Sequence, residues 1–293
     1  VFVQSSFSGN QQGQGELYLV ATPIGNLQDI TVRALETLKM VNIIAAEDTR
    51  QTRKLLTHFE IEAKLVSHHE HNKEASLKGI IEWLQEGKKV ALVSDAGLPA
   101  ISDPGYELVR EATNLQIPVI PIPGANAALS ALIASGLPTE KFVFLGFLPR
   151  EKKFLKKELE RIKGYPETLL FYEAPHRIVK MLTTLKEELG DRQIVLAREL
   201  TKKYEEFIRG NITEVLDYLE AQEQIRGEFT VIVEGSTEPS NDQEKGIWWI
   251  NLDVITHVET YINEGLSSKE AIKRTAEDRQ VQKRDIYNLY HKQ

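Results

Sequence analysis

The chain has 293 residues, with 36 Lys and Arg against 43 Asp and Glu, a formal net charge of −7, and no cysteine. That length exceeds one average domain and suggests two with an appendage. The lack of cysteine excludes disulfides, thiolate metal sites and a thiol nucleophile, and the acidic balance excludes a uniformly basic nucleic-acid coat while leaving room for local basic patches. No apolar run approaches the ~20 residues of a membrane span, so a soluble cytoplasmic protein is expected. Residues 1–15, rich in Gln, Ser and Gly, read as a disordered leader rather than a signal peptide.

In chain order, Glu16-Leu17-Tyr18-Leu19-Val20-Ala21-Thr22 reads as a first strand, ending in the turn Pro23-Ile24-Gly25-Asn26-Leu27. Thr31 is placed to cap a helix through Val32, Leu35, Leu38 and Met40. Asn42–Ala46 is a second strand ending in Glu47-Asp48-Thr49-Arg50. Leu65-Val66 leads into Ser67-His68-His69-Glu70-His71-Asn72. Leu77, Ile80, Ile81 and Leu84 then recur at helical spacing. Lys89–Val93 is a buried strand that breaks into Ser94-Asp95-Ala96-Gly97-Leu98-Pro99-Ala100-Ile101-Ser102-Asp103-Pro104-Gly105. A helix follows from Tyr106, with Pro104 suited to its first turn. Such a loop is either a plain strand-to-helix connection or a ligand site, because open α/β sheets bind ligands outside the carboxyl ends of their strands. Ile117–Ile122 is the fifth strand. It enters Pro123-Gly124-Ala125-Asn126 and the small-residue helix Ala127–Ser135.

The pattern restarts with strands at Phe142–Gly146, Thr168–Glu173, Gln193–Ala197 and Gly227–Val233, interleaved with helices and with the spacing of a more mixed sheet. The expected organisation is a leader at 1–15, an N-terminal α/β domain at 16–124, a second α/β domain at 125–236, a linker at 237–246 and a helical module at 247–293. Three helical patterns fill that module, the second opened by the capping-box signature Ser267-Ser268-Lys269-Glu270. Lys269–Gln293 holds seven Lys and Arg against four Asp and Glu. Its outline suits either a helix-turn-helix module or a packing appendage.

There is no G-x-G-x-x-G after the first strand, no Walker lysine loop and no G-x-S-x-G elbow. The strand-end loops offer carboxylates (Glu47, Asp48, Asp95, Asp103), histidines (His68, His69, His71) and glycine amides, but no concentrated positive charge for a triphosphate. A cofactor without phosphates is therefore indicated. His68-His69-Glu70-His71 is a weak metal motif, since adjacent residues of an extended chain face opposite ways, and no metal is expected. Lys152, Lys153, Lys156, Lys157, Arg161 and Lys163 form one basic run, and Lys273, Arg274, Lys283 and Arg284 another. Either run is a solvated face or a phosphate-binding patch.

Several ordered motifs carry a resemblance. Leu19–Leu27, Ala45–Arg50, His69–Asn72, Ser94–Gly105, Pro123-Gly124, Phe171-Tyr172-Glu173, His176-Arg177, Ala197–Lys202 and Gly227-Glu228 resemble the ribosomal RNA small subunit methyltransferase I family, within the tetrapyrrole (corrin/porphyrin) methylase superfamily. The likeness runs from Glu16 to Gly235, and the helical tail resembles the family's C-terminal module. It implies two α/β domains of tetrapyrrole-methylase type with a cleft between them, S-adenosylmethionine bound there, a homodimer, and methyl transfer to a cytidine 2′-hydroxyl in the decoding region of 16S ribosomal RNA. Where porphyrin-modifying relatives carry Gly-rich and Gly-x-Gly-Asp-Pro loops, this chain has Thr22–Asn26 and Ser94–Pro99, which argues against a tetrapyrrole substrate.

With that chemistry, a ribose hydroxyl needs a base, and Glu47, Asp48, His69 and His71 are the candidates. Pro23, Asp95, Ala96, Gly97, Pro99, Pro123, Gly124 and Ala125 are expected on the cofactor side, with Phe171, Tyr172, Arg226 and Gly227 as the far wall. Arg50 either holds an RNA phosphate or pairs with a neighbouring carboxylate. Lys152, Lys153, Lys156, Lys157, Lys273, Arg274, Lys283 and Arg284 are the expected RNA contacts. The rivals are a corrinoid methylase, which gives the basic tail no role, and an RNA-binding protein without catalysis.

Overall fold

Two five-stranded sheets organise the computed structural model, which describes residues 3–4, 13–70, 72–237, 249, 252–279 and 281–291. In the first, β1 (Glu16–Val20), β2 (Ile43–Ala46), β3 (Lys64–Ser67), β4 (Lys89–Val93) and β5 (Val119–Ile122) are all parallel, in the order β3-β2-β4-β1-β5. Helices α1 (Val32–Met40), α2 (Thr49–His58), α3 (Lys73–Gln85) and α4 (Tyr106–Asn114) alternate with these strands. Because successive strand residues point to opposite faces, the sheet carries two cores. Tyr18, Val20, Ile44 and Val93 pack with Leu38 of α1 and Leu56 of α2. On the other face Leu17, Ile43 and Leu92 pack with Ile80 and Leu84 of α3 and Leu108 of α4. Burying each such Leu or Ile contributes about 1.5–3 kcal/mol.

Thr31 caps α1 as its sequence position suggests, its side chain accepting from the Ala34 amide at 3.1 Å. Pro104 does not sit in the first turn of α4. The N-cap is Gly105, whose φ of 141° suits glycine, and a Cβ there would lie 2.7 Å from Leu92 Cδ2. Helix α2 is not announced by the apolar pattern, since only Leu55 and Leu56 within it are large apolar residues. Residues 1–2 and 5–12 of the expected leader lie outside the described residues. Within it, the Gln4 side-chain amide donates to Val119 O and accepts from Val119 N, both at 2.9 Å, along the edge strand β5.

The second sheet is mixed. Its strands β6 (Phe142–Phe147), β7 (Thr168–Glu173), β8 (Gln193–Arg198), β9 (Glu206–Asn211) and β10 (Phe229–Val233) run in the order β6-β7-β10-β8-β9. The β6–β7 pair is parallel and the other three are antiparallel. Helix α5 (Ala127–Ser135), capped by Asn126, lays Ala128, Ala131 and Leu132 on Leu170, Val195 and Ile232. Helices α6 (Lys152–Ile162), α7 (Ile178–Leu189) and α8 (Ile212–Glu220) complete this half.

The chain divides into two compact units, one of Val1–Lys163 with Glu167–Gly235, holding both sheets, and one of Gly164–Pro166 with Ser236–Gln293. The second contains α9 (Val254–Asn263), α10 (Ser268–Asp278) and α11 (Lys283–Tyr290) around Val258, Ala271, Ile272 and Ile286. The capping box forms at Ser267 and Glu270. Buried His257 stacks on Trp249 at 5.2 Å and accepts on Nδ1 from Arg279 Nε at 3.1 Å, so burial and that guanidinium depress its pKa. Most of the expected linker, 238–246, lies outside the described residues.

Candidate active site

The loops that leave the carboxyl ends of the first sheet are fastened to one another. Thr22 and Gly97 exchange backbone hydrogen bonds, and Thr22 Oγ1 donates to Ser94 O at 3.1 Å. The Asp48 amide donates to Asp95 Oδ1 at 3.0 Å, tying the loop after β2 to the loop after β4. A third loop joins them after β5. Gly124 lies so close to Ala21 that a Cβ would come within 2.7 Å of that residue's Cβ, and the Ala125 carbonyl sits against Gly97. Glycine is needed at 124 for close approach and at 97, where φ is +83°, for conformation.

These loops form one side of a cavity of about 500 Å³, within the range of small-ligand sites. Glu47, Asp95, Ala96, Gly97 and Asp103 line that side. The other side comes from the second sheet. The antiparallel register sets Phe229 opposite both Glu173 and Arg198. The start of β10 therefore meets the ends of β7 and β8, and Tyr172, Glu173, Ala197, Glu228, Phe229 and Thr230 share one wall. Phe147 joins it through an irregularity in β6: the β6–β7 register shifts between Phe144 and Phe147, and Gly146 takes φ +61°. Phe147 then lies 5.5 Å from the Tyr172 ring and is 59% exposed.

The electrostatics are unusual for a surface cleft. Burial, reinforced by Asp103, Asp95 and Asp48, pushes the Glu47 carboxyl up to about 7. Burial and Asp95 raise Asp103 to about 6. Glu173 is buried and its pKa is raised by desolvation; its Oε1 accepts from the Ala174 amide at 2.8 Å and its Oε2 lies 3.3 Å from Arg177. Lys202, the cation in the wall, is engaged by Glu199 at 2.9 Å and Glu228 at 3.0 Å. Carboxylates without free positive charge suit a cationic ligand lacking phosphates.

Of the four expected proton acceptors, Glu47 lines the cavity. The Asp48 carboxylate instead caps α2 and grips Arg50 at 2.8 Å, which holds its pKa down at about 2. His69 is half-buried away from the wall, its amide bonded to Asn72 Oδ1, and His71 lies outside the described residues. Pro23 lines an adjoining groove and Pro99 is buried; Gly124 and Ala125 take part in the loop packing just described, while Pro123 is exposed and its carbonyl accepts from Thr31 Oγ1 at 3.4 Å. Phe171 is not a wall residue. It is fully buried because strand alternation turns it to the face opposite Leu170 and Tyr172. The Arg226 guanidinium bonds Gln224, and the Arg226 carbonyl receives Arg198 Nε at 2.6 Å. Gly227, at φ +85°, abuts the Glu199 side chain.

Among the basic runs, Lys156 is held by Glu187 at 3.1 Å and Glu188 at 2.6 Å, Lys152 lies 3.5 Å from Glu187, and Arg161 pairs with Glu158. These pairs join α6 to α7 or lie within α6. Lys153 and Lys157 are exposed, and Lys273 lies 3.7 Å from Glu277. Sequence reading did not single out Phe147, Glu173, Lys202 or Glu228 as wall residues. For Phe147 the one available signal is Gly146, whose backbone freedom permits the bulge.

Comparison with known proteins identifies the fold and the family. Residues 16–216 match the model of the Tetrapyrrole (Corrin/Porphyrin) Methylases. A Bacillus subtilis protein named ribosomal RNA small subunit methyltransferase I is 58% identical over 288 residues, covering 98% of both chains. One of the same name from Streptococcus pyogenes is 46% identical, covering 99% of both. In fold alone, the chain is similar to a uroporphyrin-III C-methyltransferase from Thermus thermophilus (TM-score 0.51, 20% identity, 79% of this chain and 96% of that one). It is likewise similar to a cobalt precorrin-4 methyltransferase (TM-score 0.55, 16% identity, 75% and 94%). The two sheets are thus those of a methylase fold, and the chain belongs to the tetrapyrrole methylase family and, within it, to the ribosomal RNA small subunit methyltransferase I group.

Proposed function

We propose that this protein methylates ribosomal RNA of the small subunit with S-adenosylmethionine, at the ribose 2′-hydroxyl of a cytidine in the decoding region of 16S RNA. The observation that carries the reading is Glu47, a carboxyl raised to about 7 in the wall of a 500 Å³ cavity at the strand ends. When bound, the cofactor supplies a methyl group already activated on a sulfonium cation. Asp95 offers negative charge to that cation, and Gly97 and Ala125 let the backbone approach it closely. Phe147 and Tyr172 offer ring faces to a purine or to an unstacked base. Glu47 takes the hydroxyl proton, since a base poised near neutral pH is the most effective one. Asp103 sustains its raised pKa. Lys153, Lys157, Arg274, Lys283 and Arg284 hold RNA phosphates outside the cavity, and the working form is a cytoplasmic homodimer.

Incubation with labelled S-adenosylmethionine and unmodified small ribosomal subunits, followed by nuclease mapping, tests this. Label on one decoding-region cytidine ribose is the expected result. Cofactor binding without any label in RNA would overturn the substrate and favour a small corrinoid-like acceptor.

A further inference from the structure

Helix α2 carries Arg50, Arg53, Lys54, Thr57 and His58 at i, i+3, i+4, i+7 and i+8, along one face, while Thr52 and Leu56 are buried on the other. There is no acidic residue within the helix. Those five side chains line a shallow hollow of about 510 Å³. It runs into a second groove of about 570 Å³, which shares Lys54 and His58 with it and passes beside Pro23 and Ile24. That groove in turn shares Ile24, Asp95, Ala96, Lys202 and Glu228 with the central cavity. Hollow, groove and cavity therefore share lining residues in series, from a cationic helix face to the carboxylates around Glu47.

The state of the cations matters as much as their place. Arg50 is closed on Asp48, and Lys152 and Lys156 of α6 are closed on Glu187 and Glu188. Arg53 and Lys54 make no ion pair among the described residues, and Lys54 Nζ reaches only the neutral Gln51 Oε1, at 3.4 Å. In a chain of net charge −7, two uncompensated cations beside the groove that feeds the cavity are placed for a polyanion. A small cationic cofactor has no use for them, and an acidic protein partner would have no reason to follow a groove into the cavity.

We propose that the α2 face and the groove beside Pro23 are the entry track for the RNA strand, with Arg53 and Lys54 holding backbone phosphates next to the nucleotide that enters the cavity. The proposal rests on the reading of the protein as an RNA methyltransferase. Phosphate contacts of this kind fix register and orientation without reading sequence.

The test uses the full chain carrying Arg53→Gln and Lys54→Gln together, with unmodified small ribosomal subunits as substrate. Methyl transfer is followed against subunit concentration, cofactor affinity by calorimetry, and RNA binding as a function of salt. The expected result is a KM for the subunit raised by roughly tenfold or more, with the salt slope reduced by about 1.4 for two lost phosphate contacts. Cofactor affinity stays as in the wild type, and an Arg53→Lys, Lys54→Arg exchange recovers most of the KM. Unchanged KM and slope overturn the proposal, as does a matching loss of cofactor affinity, which would place the effect in the fold of the loops. If the wild-type chain itself transfers no methyl to RNA, the underlying reading fails first and takes the track with it.

Discussion

Thr22 and Gly97 form an antiparallel bridge outside the parallel sheet, with hydrogen bonds of 2.9 and 3.1 Å in the two directions. This bridge sets the distance between the loops after β1 and β4, and with it one lip of the cavity. Gly97→Ala adds a Cβ 3.4 Å from Ile24 Cγ2 at a φ of +83°. It is expected to destabilise the fold by about 1–2 kcal/mol and to weaken cofactor binding, measured by denaturant titration and calorimetry. Wild-type values in both would remove the bridge from the construction of the site.

Glu47→Gln keeps the size of the side chain and removes the proton acceptor. Turnover should fall by roughly 10²–10⁴-fold with cofactor binding retained. The wild-type rate should climb with pH through about 7, as Glu47 ionises, and level off above it. A variant with residual activity and the same pH midpoint would move the role of base elsewhere.

The same carboxyl costs stability. Its folded pKa is raised from the ordinary 4.5 to about 7, so its contribution is intact below 4.5 and is lost as the pH rises through 7. Glu47→Gln should therefore be more stable than the wild type at pH 8, by about 1–2 kcal/mol once solvent screening of a partly exposed group is allowed for, and no more stable at pH 4. Thermal melts at the two pH values read this directly.

Arg177 donates to the carbonyls of Leu148 and Pro149, at 3.1 and 3.3 Å, while neighbouring the buried Glu173 carboxylate. Arg177→Ala leaves that carboxylate without its cation and two carbonyls without their donor, at a cost of about 3–5 kcal/mol. Because burial already raises the Glu173 pKa, protonation relieves part of the loss, so the destabilisation should be larger at pH 8 than at pH 5 in urea titrations.

Lys283→Gln with Arg284→Gln removes two cations from the first turn of α11, where positive charge also opposes the helix dipole. Binding to small subunits should weaken and lose salt dependence while cofactor affinity and helical content are kept. Unaltered RNA binding in a filter assay would leave the tail as a packing unit.

What could be read from sequence was what local chemistry decides. Ile43–Ala46 and Val90–Val93 are continuous apolar runs because both faces of their sheet are covered. Thr31 and Ser267 announced their helices because an N-cap is a local hydrogen bond. Helix α2 escaped because one half of its surface is Arg, Lys, Thr and His, and its buried side rests partly on Thr52. Glu47, Asp95, Ala96, Gly97 and Tyr172 of the wall were named from sequence, but their electrostatics and the rest of the wall escaped, for a different reason. Glu47, Asp103 and Glu173 owe their raised pKa values to burial created by chain segments far apart in sequence, and Phe147 is aimed by a bulge whose register depends on β7. Strand alternation sets Phe171 on the face opposite Tyr172, where it is fully buried, and of the β7 residues on that face only Glu173, at the end of the strand, reaches the cavity.

The Gln4 amide on β5 has a consequence for solubility. An edge strand is a template for another chain, and β5 is an edge of the parallel sheet. One side-chain amide, shaped like a peptide group, occupies the N–H and C=O of Val119, and Pro121 two residues on has no N–H to give. A foreign strand arriving at this margin meets a ladder with its first rung taken and its next donor missing, so the sheet ends where it is and does not grow into a neighbouring molecule.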